Sequence, residues 1–187
     1  YYNKPDQEGV YAHFAAVAQS CDLPLFIYNV PSRTALDVLP ETVSRLAEMP
    51  NVVGIKDASG NISRAVQARL DCGEDFCVLS GSDELNIGFM AAGARGAISV
   101  TANVAPMLCA EFMTACDENR WNDARALNER LHFLHLAMFA APSPAPAKYA
   151  LAKMGRLPHA KTRLPITGCN DAAKRRVDAA LAHAGLA

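Results

Sequence analysis

The sequence predicts an α/β fold built on parallel strands, and two observations carry that prediction. Four short apolar runs, at 25–28, 52–56, 76–80 and 97–101, recur roughly 20–27 residues apart. Between them lie stretches whose apolar residues repeat every three or four positions, the period of a helix with one buried face. Strand and helix alternating at this spacing give βα units around parallel strands.

Each element has its own local reason. Tyr1-Tyr2-Asn3 reads as the tip of an earlier strand, and 9–20 as the helix after it. The run at 25–28 ends in Tyr28 and a Pro-Ser turn. Pro40 suits a first helical position, and Val43, Leu46 and Ala47 follow at helix spacing. Val52-Val53-Gly54-Ile55-Lys56 is β-branched and is ended by the turn residues Asp57-Ala58-Ser59-Gly60, so it reads as a buried strand entering a loop. Ile62, Val66 and Leu70 form the next helical stripe, stopped by Gly73, and Leu85, Phe89 and Ala92 another, stopped by Gly93. Pro106 opens a fourth helix carrying Leu108, Phe112 and Cys116. After Cys116 the strands cease. Leu127, Leu131, Leu134 and Met138 mark a helix that Pro142, Pro144 and Pro146 are expected to end, and 149–154 and 172–184 mark two more.

Composition narrows the function classes. A hydrophobic fraction of 51% over 187 residues is ample for a packed core, and a net charge of −1 offers no basic footprint for nucleic acid. No apolar stretch reaches the length of a membrane span and no signal peptide is visible. Cys21, Cys72, Cys77, Cys109, Cys116 and Cys169 form no C-x-x-C pair, so zinc and redox motifs are absent; most read as small buried residues of a reduced, cytoplasmic protein. His132 and His135 share a helix face, but without further ligands they read as surface or satisfied core residues rather than a metal site. No cofactor motif is present.

Lys56 is the residue that points to chemistry. A lysine at the end of a buried strand is disfavoured as an ammonium, and a neutral amine in a dry pocket is the form that attacks a ketone. The alternative is a lysine that snorkels into water. Tyr28 ends the preceding run about one helix earlier. In parallel α/β folds the strand C-termini gather at one face, where sites form. Tyr28 and Lys56 are therefore expected side by side, a phenol beside an amine. A buried tyrosine that only satisfies its hydroxyl remains the alternative for Tyr28.

Several segments together resemble one family. Tyr1-Tyr2-Asn3-Lys4-Pro5, Tyr28-Asn29-Val30-Pro31-Ser32-Arg33-Thr34, Gly54-Ile55-Lys56-Asp57-Ala58-Ser59-Gly60, Ser80-Gly81-Ser82-Asp83 and Gly96-Ala97-Ile98-Ser99-Val100-Thr101-Ala102-Asn103-Val104 stand in order and with compatible spacings. They closely resemble the 4-hydroxy-tetrahydrodipicolinate synthase (dihydrodipicolinate synthase) family of pyruvate-dependent class I aldolases and lyases. The resemblance implies that 1–118 is the C-terminal half of a (β/α)8 TIM barrel, strands five to eight with the tip of strand four, and that 119–187 is a small helical domain. It also implies that roughly a hundred residues of the barrel precede this chain, since such a barrel needs about 250 residues.

The resemblance further implies condensation of pyruvate with L-aspartate 4-semialdehyde in lysine (diaminopimelate) biosynthesis, through a Schiff base on Lys56 and with no cofactor. Tyr28 would relay protons and position pyruvate. Tyr2 would reach into the neighbouring subunit's site of a homotetramer built as a dimer of dimers. Arg33 would grip the carboxylate of the aldehyde substrate, for which a planar guanidinium is suited. The backbone carbonyls of Gly81 and Ile98 would line the pyruvate pocket, and Tyr1 would line a cleft for lysine as feedback inhibitor. Another aldolase or lyase of the superfamily, acting on N-acetylneuraminate, 2-keto-3-deoxy-sugar acids or 4-hydroxy-2-oxoglutarate, would share Lys56 and Tyr28. The Pro31-Ser32-Arg33-Thr34 turn favours a carboxylate-bearing acceptor, and neuraminate lyases lack an arginine there. A non-catalytic α/β binding protein is the third reading, against which the set Lys56, Tyr28 and Arg33 argues.

Overall fold

The structure is a computed structural model that describes residues 2–187. The chain forms two compact units, residues 1–98 and 99–187.

The first unit is a four-stranded parallel sheet with its connecting helices. Its strands are β1 (Leu25–Asn29), β2 (Val52–Asp57), β3 (Cys77–Ser80) and β4 (Gly96–Ala97), in that spatial order. The helices are α1 (Gln7–Gln19), α2 (Pro31–Thr34), α3 (Pro40–Ala47), α4 (Ser63–Cys72) and α5 (Asn86–Ala91). Asp6 caps α1 by accepting from Gly9 N–H at 2.9 Å, and Pro40 opens α3 at a position where no backbone donor is needed. The chain leaves α4 through Gly73 at φ +95°, a conformation open to glycine at little cost.

The two sheet faces differ. Ile27 and Asn29 of β1, Ile55 and Asp57 of β2, and Val78 and Ser80 of β3 are buried. Ile27, Ile55 and Val78 pack with Val43, Leu46, Ala65 and Phe89 from the helices into one core. The opposite face carries Phe26 and Tyr28, each close to half exposed, and the partly exposed Lys56.

The second unit is helical: α6 (Pro106–Asp117), α7 (Trp121–Ala137), α8 (Ala145–Lys153) and α9 (Asp171–Ala184). Helix α7 packs on α6 and on α9, and α8 on α9. Leu131, Leu134, Met138, Val177 and Leu181 are fully buried there. The division expected from the sequence falls later, after residue 118. Packing places α6 with the second unit, because α6 lies against α7.

Two local expectations need correction. The run at 97–101 is not a five-residue strand: β4 stops at Ala97, and a 3-10 turn covers Thr101–Asn103. Ser99 Oγ accepts from Ala102 N–H at 2.9 Å, which turns the chain. The prolines at 142–146 do not end α7, which stops at Ala137; Pro144 and Pro146 flank the start of α8, where a missing N–H is harmless. Tyr2 and Asn3 carry no regular secondary structure.

Of the six cysteines, Cys109 and Cys116 are buried, Cys72, Cys77 and Cys169 are partly exposed and Cys21 is exposed. Burial pushes the Cys116 thiol up to about 11, which leaves it a packing residue. His135 is a satisfied core residue, 2.8 Å from Thr101 Oγ1. Among the described residues, no helix is long and apolar enough to cross a membrane.

Candidate active site

The parallel register of β1 and β2 pairs Tyr28 with Lys56. Both stand one residue before the end of their strands, on the half-open sheet face. Lys56 Nζ lies over the Tyr28 ring, 4.1 Å from its centroid. A cation over a π-face is held by the ring quadrupole, worth about 0.5–1 kcal/mol where solvent reaches it. The expected phenol–amine pair is thus present as a stacked contact.

The chain beyond the strands stays tied together. Ala58 N–H donates to Asn29 O at 2.8 Å, Gly81 N–H to Asp57 O at 2.7 Å and Ile98 N–H to Ser80 O at 3.0 Å. These bonds extend the ladder past the strand ends and bring Gly81 and Ile98 to the same rim as Lys56. Gly81 is needed for closeness: a Cβ there would sit 2.8 Å from Ala58 Cβ and 3.0 Å from Asp57 O. Ile98 is half exposed rather than core.

Arg33 lies in α2, a short helix directly after β1, whose Arg33 and Thr34 N–H groups both donate to Val30 O. Its side chain is exposed. Tyr2 is fully exposed and is not drawn into the ladder. Tyr1 lies outside the described residues. The structure therefore brings together Lys56, Tyr28, Gly81 and Ile98, sets Arg33 on the short helix directly after β1, and leaves Tyr2 apart. Among the described residues, no group of His, Cys, Asp and Glu is arranged to hold a metal ion.

Sequence reasoning missed a partly buried polar network behind this rim. Asn29 Nδ2 donates to Asp37 Oδ1 at 2.8 Å, while Asn29 Oδ1 accepts from Val38 N–H at 3.0 Å. Arg64 forks onto Asp37 with contacts of 2.7 and 2.6 Å, and its Nη1 lies 4.0 Å from Asp57 Oδ2. The Arg64 guanidinium holds the Asp37 carboxyl below the ordinary carboxylate range, against the upward push of burial and with help from Asn29. The one available signal was that Asn29 and Asp57 are polar residues closing apolar runs, where burial would require a partner.

The lowered Asp37 pKa fixes a sign. Its stabilisation is complete above the unfolded value of about 3.9 and disappears as pH falls through the still lower folded value. Asp37→Asn should therefore be less stable than the unaltered protein by a constant margin above about pH 5, and the margin should close below about pH 4. Denaturant melts from about pH 7 down to about pH 3 test this, and a margin that widens towards acid would refute it.

The profile of the dihydrodipicolinate synthetase family matches residues 1–184. The chain belongs to the dihydrodipicolinate synthetase family. It is 54% identical over 187 residues to the 4-hydroxy-tetrahydrodipicolinate synthase of Rhizorhabdus wittichii, an alignment covering 100% of this chain and 64% of that one. The chloride-inhibited dihydrodipicolinate synthase of Acinetobacter baumannii, solved in complex with pyruvate, superposes with a TM-score of 0.94 at 41% identity, over 100% of this chain and 64% of that one. The Cyanidioschyzon merolae enzyme with lysine bound superposes with a TM-score of 0.94 at 35% identity, over 100% and 63%. The chain thus spans just under two thirds of the length of the curated relatives it matches. Within the dihydrodipicolinate synthetase fold, β1 to β4 and their helices are the C-terminal half of the (β/α)8 barrel.

Proposed function

We propose that this chain carries the Schiff-base half of a 4-hydroxy-tetrahydrodipicolinate synthase, which condenses pyruvate with L-aspartate 4-semialdehyde. The observation that carries the reading is the register pairing of Tyr28 with Lys56, with Nζ over the ring, at the end of a parallel sheet. Pyruvate bound to the Acinetobacter baumannii relative supports pyruvate as the first substrate.

In this reading the Lys56 amine attacks the pyruvate keto carbon. The carbinolamine loses water to give a protonated imine, which acidifies the adjacent methyl group. Loss of a methyl proton leaves an enamine, and its carbon attacks the aldehyde of the semialdehyde. The substrate's own amine then adds to the imine carbon and expels Lys56, so one water leaves per turnover. Tyr28 moves protons at the carbinolamine and at the new alkoxide. The Gly81 and Ile98 backbone lines the pyruvate site, and the exposed Tyr2 reaches a neighbouring subunit in a tetramer of paired dimers. The division of labour is a barrel portion at 1–118 and a helical domain at 119–187, in a cytoplasmic enzyme. The lysine bound to the Cyanidioschyzon merolae relative supports feedback by lysine, with Tyr1 at that cleft.

Arg33 faces the second substrate. Arg33→Ala in the intact enzyme should raise the KM for the semialdehyde or lower its kcat/KM about ten- to a hundredfold, the loss of one charge-assisted bond of about 1.5–3 kcal/mol. Borohydride trapping of pyruvate should stay close to normal. Trapping lost together with turnover would place Arg33 on pyruvate instead, and unchanged kinetics would remove it from the site.

A further inference from the structure

We propose that Asp37 and Arg64 are positioning residues that hold the ends of β1 and β2 in register, and with them Tyr28 and Lys56. The inference rests on the imine reading above.

Asn29 and Asp57 are register partners, each one residue past Tyr28 and Lys56. Strand alternation turns them to the opposite face, under the helices, where they are 1% and 3% exposed. The other residues of that face include Ile27, Ile55 and Val78, so an amide and a carboxylate there are costly without partners. Their partners, Asp37 and Arg64, pair with each other. Asp37 accepts from Asn29 of β1 and from both Nη groups of Arg64 on α4, and Arg64 Nη1 faces Asp57 of β2. Asp57 Oδ1 accepts from Ser59 N–H at 2.7 Å and fixes the turn after Lys56.

The backbone around Asp37 is clamped from a third direction. Gln7 of α1 donates to Asp37 O at 2.8 Å, and its Oε1 accepts from Leu39 N–H at 3.1 Å and Thr42 Oγ1 at 2.7 Å. Asp37 therefore joins α1, β1, α4 and, through Arg64, the end of β2. The segment it anchors begins at the end of β1 and carries Arg33.

The β1–β2 ladder needs such a clamp. Its register shifts between Leu25 and Phe26, so the early end of the pair does not by itself fix the later end. Slippage in a strand turns side chains to the wrong face, and a misplacement of about 1 Å at a reacting group costs on the order of a hundredfold in rate. The Asp37–Arg64 fork restrains the pair at the end where the reacting amine stands.

Two near-isosteric variants of the intact enzyme test this: Asp37→Asn and Arg64→Lys. Arg64→Lys keeps the charge and loses the fork. Both should lower kcat and the rate of pyruvate trapping on Lys56 about tenfold or more, measured well below the melting temperature, with the pyruvate KM within about threefold of normal. The double variant should be little worse than either single one, because the pair acts as a unit. A lower melting temperature with unchanged kcat and trapping rate would make the network purely structural and overturn the proposal. If Asp37→Asn fails to fold, Arg64→Lys decides alone by the same criterion. Failure of the unaltered enzyme to trap pyruvate would instead overturn the imine reading, and it is seen before any variant is made.

Discussion

On the proposed imine mechanism, replacing Lys56 by alanine in the intact enzyme should abolish pyruvate trapping and lower kcat about a thousandfold or more, while the protein stays folded. In that proposed mechanism the variant lacks the nucleophile on which every later step depends. Folding should survive because Lys56 is only partly buried and its side chain rests on the face of Tyr28, a contact worth about 1 kcal/mol at most. Lys56→Arg separates charge from nucleophilicity. The guanidinium keeps a cation over the ring but cannot serve as a neutral amine, so it should be as inactive as alanine. Borohydride reduction with pyruvate, followed by peptide mass mapping, reads the outcome directly. A labelled peptide that excludes Lys56, or an alanine variant with appreciable turnover, would remove Lys56 from the reaction.

The Lys56–Tyr28 pair was legible because it depends on local rules. Each residue closes an apolar run before turn residues, and parallel strands bring such ends to one rim. The parallel pairing of the strands followed from the same spacing. The faces were not legible in β2, where Val52, Val53 and Ile55 are apolar throughout, so alternation cannot say which side the helices cover. The end of β4 is hidden because Val100 and Thr101 have strand composition, yet Ser99 redirects the chain through a side-chain bond. The prolines after α7 resemble terminators, yet two of them open the next helix, a distinction set by the residues around them rather than by proline itself. The Asp37–Arg64 fork was out of reach for a different reason. Its partners are 27 positions apart on separate elements, and nothing in either segment marks the other.

Gly54→Ala should be among the most destabilising single changes in the first unit, and Gly54→Val more so. Gly54 lies on β2 two residues before Lys56, on the same face, with Phe26 of β1 on one side and Cys77 of β3 on the other. A Cβ at this position would fall against the Cys77 carbonyl oxygen and the Phe26 ring, closer than side chains ever approach. The Phe26 ring is partly exposed and can swing aside, but the Cys77 carbonyl belongs to the backbone of the paired strand. Relief therefore requires β3 to move away from β2, and β3 leads directly into Gly81. Overpacking that shifts backbone costs about 1–3 kcal/mol, and valine, with two further methyl groups against the same carbonyl, should exceed about 4. Gly60 supplies the control. It sits at φ +85°, and a Cβ added there would have nothing within 4 Å, so Gly60→Ala meets only the left-handed backbone penalty of about 1–2 kcal/mol. Denaturant midpoints of the intact enzyme should thus fall in the order Gly60→Ala, Gly54→Ala, Gly54→Val, the last being the lowest. A Gly54→Ala protein as stable as Gly60→Ala would mean that β3 yields freely, and the close packing of β2 on β3 could not then be what brings Gly81 up to Lys56.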